Sequence, residues 1–275
     1  MTDTPGPDEA APAEQIGLGA PEAAAPASAH PRNARSWAHK VDRLQPDLRE
    51  GVRGTNVAGR RLAGPVQGFG KMWQKTYRMN AGPGIAPAEA ISIWRKHFSE
   101  FWPAGNRFST PITNITPGDV ALLDLRIGGG VKLSTGVFVL YADAESFTLM
   151  TPQGHLFAGW ITFSAARDGE DTIVQAQALF RAGDPLYELA MPIMHRREDQ
   201  FWLATLTALG ERLGAADPEV EISRTCVDSR RQWRYARNIW HNSAIRSLLQ
   251  AAADRRKRGN KSGTGQGGTG KDDKS

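Results

Sequence analysis

Thr151-Pro152-Gln153-Gly154-His155-Leu156-Phe157-Ala158-Gly159 is the stretch of this 275-residue chain best placed to do chemistry. Two glycines bracket one histidine, so the backbone can turn sharply and hold a single imidazole over whatever lies beneath. Imidazole titrates near neutral pH, which suits His155 to acid–base exchange or to holding the polar head of a ligand. The same ring could instead bond a neighbouring carbonyl and pin the turn. A second concentration is His195-Arg196-Arg197-Glu198-Asp199, where ionisable residues crowd into little more than one helical turn. It could close over an anionic group, or it could be a solvated helix face. Glu188 stands seven residues before His195, a same-face spacing that Pro192 interrupts.

Several other chemistries fail on pattern. Gly128-Gly129-Gly130 lacks the following Lys-Ser/Thr and the helix that a phosphate loop requires, so it reads as a turn. No Ser-His-Asp order, nucleophile elbow or two-histidine helical metal site occurs, and neither metal nor cofactor is expected. Cys226 is the one cysteine; it has no partner for an intramolecular disulfide and no evident base beside it.

The aromatic residues are numerous enough to do more than fill a core. If the elements leave a cavity, Trp73, Tyr77, Trp94, Phe138, Phe157, Trp160, Phe163, Phe201 and Trp202 are the expected apolar lining, with His155 as its polar member. Phe98 belongs to the same group.

These residues need elements to position them. Residues 70–79 read as a first strand. Pro87-Ala88-Glu89-Ala90 opens a helix, and Ala90, Ile91, Trp94, Phe98 and Phe101 continue it as an apolar stripe until Pro103. Strands follow at 120–127, 135–141, 147–150, 156–165 and 172–180, separated by short polar turns. Asp184 then caps a helix with Pro185 in its first turn. Pro192 is expected to break or kink it. Beyond the proline, Trp202, Leu206, Leu209 and Leu213 form a stripe on a helix over 193–213 that should face the sheet.

The ends differ from the middle. Ten of the first 34 residues are Ala and six are Pro, so 1–35 reads as disordered. Residues 36–65 read as a linker or lead-in, 66–216 as the domain, 217–258 as a basic helical extension and 259–275 as a second disordered tail. The net charge of +5 is uneven: Asp228 to Ser275 holds twelve Lys or Arg against four Asp, leaving −3 for everything before it. Trp233 and Trp240 with Arg230, Arg234 and Arg237 give that extension the look of a helix that docks on the domain or lies on an anionic membrane surface. Nucleic acid is the less favoured partner. The first residues show no apolar signal-peptide run and no span of eighteen apolar residues occurs, so a cytoplasmic location, free or at the membrane surface, is expected.

The Gly154-His155-x-x-x-Gly159 segment, the strand after it, Asp184-Pro185 and the long terminal helix together resemble an uncharacterised family found in bacteria and plants. That family lies within the SRPBCC (START-like, helix-grip) superfamily. The resemblance spans roughly Val66 to Leu213. It implies an α+β fold in which a curved antiparallel sheet wraps a long C-terminal helix around a cavity. One departure stands out: the family carries acidic residues just after the second glycine, where this chain has Trp160-Ile161.

Three functions stay open on this reading. The cavity could hold a small hydrophobic or lipid-like ligand without reacting with it. It could be the site of a cyclase- or hydrolase-type enzyme using His155 as acid or base. Or the protein could act as an interaction partner through its basic C-terminal segment.

Overall fold

The computed structural model describes residues 33–47, 54, 56–109, 115–128 and 131–263. Two units divide the chain, Met1–Asn33 and Ala34–Ser275, and the fold below is that of the second. Expectations for residues 1–32 and 264–275, and for Gly129 and Gly130, lie outside the described residues.

Eight strands form one antiparallel sheet: β1 (Met72–Asn80), β2 (Arg107–Ser109), β3 (Val120–Gly128), β4 (Val131–Ala142), β5 (Ser146–Met150), β6 (Phe157–Asp168), β7 (Asp171–Ala182) and β8 (Val220–Asp228). Their spatial order is β2-β3-β4-β5-β6-β7-β1-β8, a meander that closes by placing β1 beside β7. The Asp168-Gly169-Glu170-Asp171 turn joins β6 to β7, with Gly169 at φ +63°, where a left-handed turn favours glycine. Three helices complete the fold: α1 (Pro87–Lys96), α2 (Pro185–Leu213) and α3 (Ser243–Gly263). A 3-10 segment, Trp233–His241, precedes α3.

Alternation along the strands sorts the side chains onto two faces. Tyr77, Val139, Phe147, Phe163 and Ala176 point inward and pack with Trp94 of α1 and with Trp202, Leu206 and Leu209 of α2. The α2 stripe therefore faces the sheet and is buried, as its spacing predicts. This is the α+β helix-grip arrangement. Phe138, one residue out of phase with Val137 and Val139, lies on the other face beneath Leu44 and Val57. The lead-in crosses that outer face: Ala38 N–H donates to Leu140 O (2.9 Å), and Leu44 exchanges backbone bonds with Arg60 and Gly59.

Two expectations need correction. Pro192 does not break the helix, because α2 runs unbroken from Pro185 to Leu213. The proline sits in the second turn on the exposed side, so its missing N–H costs one bond near an end that Asp184 already caps, through Leu186 N and Tyr187 N at 2.9 and 3.0 Å. The region 217–258 is not one helix. Val220–Asp228 pairs with β1 along its free edge, from Met79↔Val220 to Met72↔Asp228. Val220, Ile222, Thr225 and Val227 are β-branched, and an open strand edge offers backbone partners that a helix would forgo. In turn, α3 continues to Gly263, past the expected start of the tail.

Candidate functional site

A cavity of about 180 Å³ lies between the inner face of the sheet and α2. Its walls are mostly apolar. Phe98, Trp102 and Phe108 close one side, Leu123, Leu125, Val137 and Leu149 form the sheet floor, and Phe157, Ile161, Ala178 and Phe180 form the other side. From α2 come Met194, Phe201 and Trp202. Asn106, Arg126, Thr151, His155, Arg197 and Glu198 supply the polar groups.

The expected lining divides in half. His155, Phe157, Trp160, Phe201 and Trp202 border the cavity, Trp160 with its ring reaching toward Gly64. Trp94 and Phe163 are buried instead in the adjoining core, where their rings meet edge-on at 4.9 Å. Phe138 faces the opposite side of the sheet. Trp73 packs edge-on to His195 at 5.0 Å, and Tyr77 turns its hydroxyl to Asp199 at 2.9 Å. Periodicity finds inward-facing residues, but where helix and sheet part company depends on the whole set of packed side chains.

His155 serves its own turn. Phe157 N–H donates to its Nδ1 at 3.1 Å, and the Phe157 carbonyl stands at the same distance. Burial lowers its pKa to about 4, so the ring is neutral at physiological pH. The flanking glycines also have packing reasons. Gly154 (φ +93°) lies against the His241 backbone, which a Cβ would overlap, and accepts a bond from Ser243 N–H at 2.9 Å. Gly159 lies against the Leu179 carbonyl just as tightly. The Gly-His turn is thus where the C-terminal segment docks. Asn242 completes that joint: it is fully buried, donates to Asp184 (2.8 Å) and caps α3 through Ile245 N–H (3.0 Å).

The group that pattern-reading missed is Lys75, the partner of Glu198. Lys75 occupies an inward position on β1, in phase with Trp73, Tyr77 and Met79, and its side chain is 0% exposed. A lysine in that register is the signal in the sequence; a polar stem among core positions demands buried partners. It finds Glu198 at 2.9 Å, Asp199 at 2.6 Å, the His195 carbonyl at 3.1 Å and the Tyr77 hydroxyl at 3.3 Å. Arg224 of β8 reaches Asp199 at 2.8 Å. The run His195–Asp199 is therefore only in part a solvated face.

The two carboxylates differ. Burial opposes the Asp199 charge, but Lys75, Tyr77 and Arg224 outweigh it and hold the carboxyl below the usual range. Burial pushes Glu198 up to about 7 against the pull of Lys75. Burial also lifts the Tyr77 phenol far above its ordinary range. His195, neither of whose ring nitrogens has a hydrogen-bond partner among the described residues, is lowered to about 4 by burial and then by Lys75 and Arg224.

No family model matches the chain, and no curated protein matches it. The family suggested by the Gly154–Gly159 turn thus has no matching model. Solved structures do align. Truncated norcoclaurine synthase from Thalictrum flavum aligns over 52% of this chain and 96% of its own, at 12% identity and a TM-score of 0.40. Major latex-like protein 151 from Panax ginseng aligns over 53% and 99%, at 14% identity and 0.36. Protein Ms6760 from Mycobacterium smegmatis aligns over 52% and 91%, at 12% identity and 0.37. At this distance no residue role passes from them to this chain.

Proposed function

We propose that this protein binds a compact, largely apolar small molecule in the cavity between the sheet and α2, without reacting with it. The supporting observation is the cavity itself: about 180 Å³, walled by aromatic and aliphatic side chains. An apolar cavity of about 150 Å³ is enough to take benzene, so this one suits a molecule built on one or two rings. The acid–base alternative through His155 draws no support from its surroundings, since the imidazole is neutral and tied to Phe157.

A naphthalene-sulfonate dye is expected to bind the folded protein saturably at one-to-one stoichiometry. Ala178→Phe and, separately, Met194→Trp should fill the cavity and abolish binding while circular dichroism stays that of the parent. Non-saturable binding by the folded parent, or undiminished binding by both filled variants, would sink the reading.

A second reading concerns the C-terminal segment. Trp233 and Trp240 are 74% and 81% exposed although Trp233 meets Phe69 edge-on at 5.2 Å, because Asn238, Asn242 and Ser243 make the main polar docking contacts of the segment. Arg230 and Arg231 are held by Asp228 and Glu188, whereas Arg234 and Arg237 are exposed. Tryptophan beside arginine suits the headgroup region of an anionic bilayer. We propose reversible attachment there. The full chain should sediment with anionic vesicles at low salt but not with neutral ones, and the double variant Trp233→Ser, Trp240→Ser should stay in solution. Equal sedimentation of parent and variant removes the segment from the account.

A further inference from the structure

The cavity has one polar feature that its apolar walls do not explain. Glu198 is buried, its side chain 7% exposed, and it lines the cavity from α2. Its Oε2 accepts from Lys75 at 2.9 Å, while its Oε1 accepts no bond among the described residues. A largely buried carboxylate that borders a cavity is stabilised by a donor placed against its second oxygen.

Resting on the cavity reading above, we propose that Glu198, fixed by Lys75, is the recognition group for a hydroxyl on an aromatic ligand. A hydroxyl can donate to the second carboxylate oxygen. The charge around the site chooses among donors. The Lys75 ammonium lies against the carboxylate, and Arg126 and Arg197 border the same cavity with no carboxylate partner among the described residues. A cationic amine entering there meets this positive charge, whereas a neutral phenol does not. The aromatic walls, Phe98, Trp102, Phe108, Phe157, Phe201 and Trp202, suit a ring stacked or edge-on within them.

The site also implies a pH dependence of known sign. The charged and titratable groups around Glu198 are Lys75 and Tyr77 from β1, Asp199 from α2 and Arg224 from β8, with Arg126 and Arg197 on the same cavity. Asp199 stays ionised, Tyr77 protonated and His195 neutral near pH 7, which leaves Glu198 as the group that titrates there. Protonation replaces a charged acceptor with a neutral carboxylic acid, so the preference for a hydroxyl should fade as pH falls through about 7.

The test compares naphthalene, 2-naphthol and 1-naphthylmethylamine on the full chain by tryptophan-fluorescence titration. With the parent at about pH 8, 2-naphthol should bind at least about tenfold tighter than naphthalene, the scale of one hydrogen bond to a charged group, and the cationic amine should bind weakest. That advantage should shrink toward about pH 6, in step with the carboxylate charge. Glu198→Leu should abolish the advantage while retaining naphthalene; Asp199 still neutralises Lys75 in that variant, and Glu198→Gln repeats the test with a side chain of the same shape. Equal affinities for naphthol and naphthalene in the parent, or an advantage surviving in both variants, would overturn the Glu198 assignment and leave the cavity standing. Failure of all three probes to bind the folded parent would overturn the cavity reading and this proposal together.

Discussion

Lys75→Met is expected to lower the free energy of unfolding by about 3–5 kcal/mol, the scale of a buried ion pair deprived of one partner. Lys75 is fully buried and holds Glu198, Asp199 and the His195 carbonyl within 2.6–3.1 Å. Methionine keeps the volume and removes the charge. Asp199 would still have Arg224 and the Tyr77 hydroxyl, so most of the loss falls on Glu198. The pH dependence follows from that carboxyl. Its folded-state pKa is already raised to about 7, so its contribution is present at low pH and is lost as pH rises through that value. Without Lys75 the folded pKa moves higher still, and the stability difference between parent and variant should grow with pH. Urea unfolding at several pH values between about 5 and 8 measures it. A difference below about 1 kcal/mol throughout that range would mean the pair contributes little net stability. The double variant Lys75→Met, Glu198→Leu should recover part of the loss, because the pair is coupled and its terms do not add.

Trp94→Ala should be comparably severe, about 3–5 kcal/mol, for a different reason. Trp94 is completely buried, and its ring meets Phe163 at 4.9 Å and Phe147 at 6.0 Å, both edge-on. Removing it opens a void inside the sheet-and-helix core that rigid aromatic neighbours cannot close. Because Trp94 does not border the cavity, folded Trp94→Ala should bind the dye with the same stoichiometry as the parent. Trp94→Phe should recover much of the loss, since the buried indole N–H has no partner among the described residues whose hydrogen bond would be lost. Thermal and urea unfolding of the two variants decide the matter; a loss under about 1 kcal/mol for Trp94→Ala would show that the core repacks there.

Much of the architecture was legible because it follows from local rules. The α2 stripe Trp202, Leu206, Leu209 announces which face meets the sheet. Asp184-Pro185 marks where that helix begins, and Asp168-Gly169 marks a tight turn between strands. Where the reading failed, a competing tertiary interaction had won. Pro192 is expected to break or kink the helix, yet α2 is unbroken, because one lost hydrogen bond in the second turn is outweighed by a helix held along its length against the sheet. Val220–Asp228 was read as helix because basic and apolar residues recur through the C-terminal region as a whole. The free edge of β1 made it a strand.

The site shows the same division. That an inward-facing set of aromatics would surround a space was within reach of a single chain, because period and side-chain size are written there. Which of them border it was not: Phe138 lies one residue out of phase with Val137 and Val139, and Trp94 and Phe163 face inward yet fill solid core. His155 attracted attention as an ionisable group in a glycine turn, but its ring closes on Phe157 only two residues away. Glu198 looked like one charge in a hydrophilic run. Its character comes from Lys75, 123 positions earlier in the chain, which only the pairing of β1 against α2 brings within 2.9 Å. Composition and periodicity decide what a segment can become, because they act over a few residues. The electrostatics of a buried carboxylate act through space, so they were settled only when the fold removed water from around it.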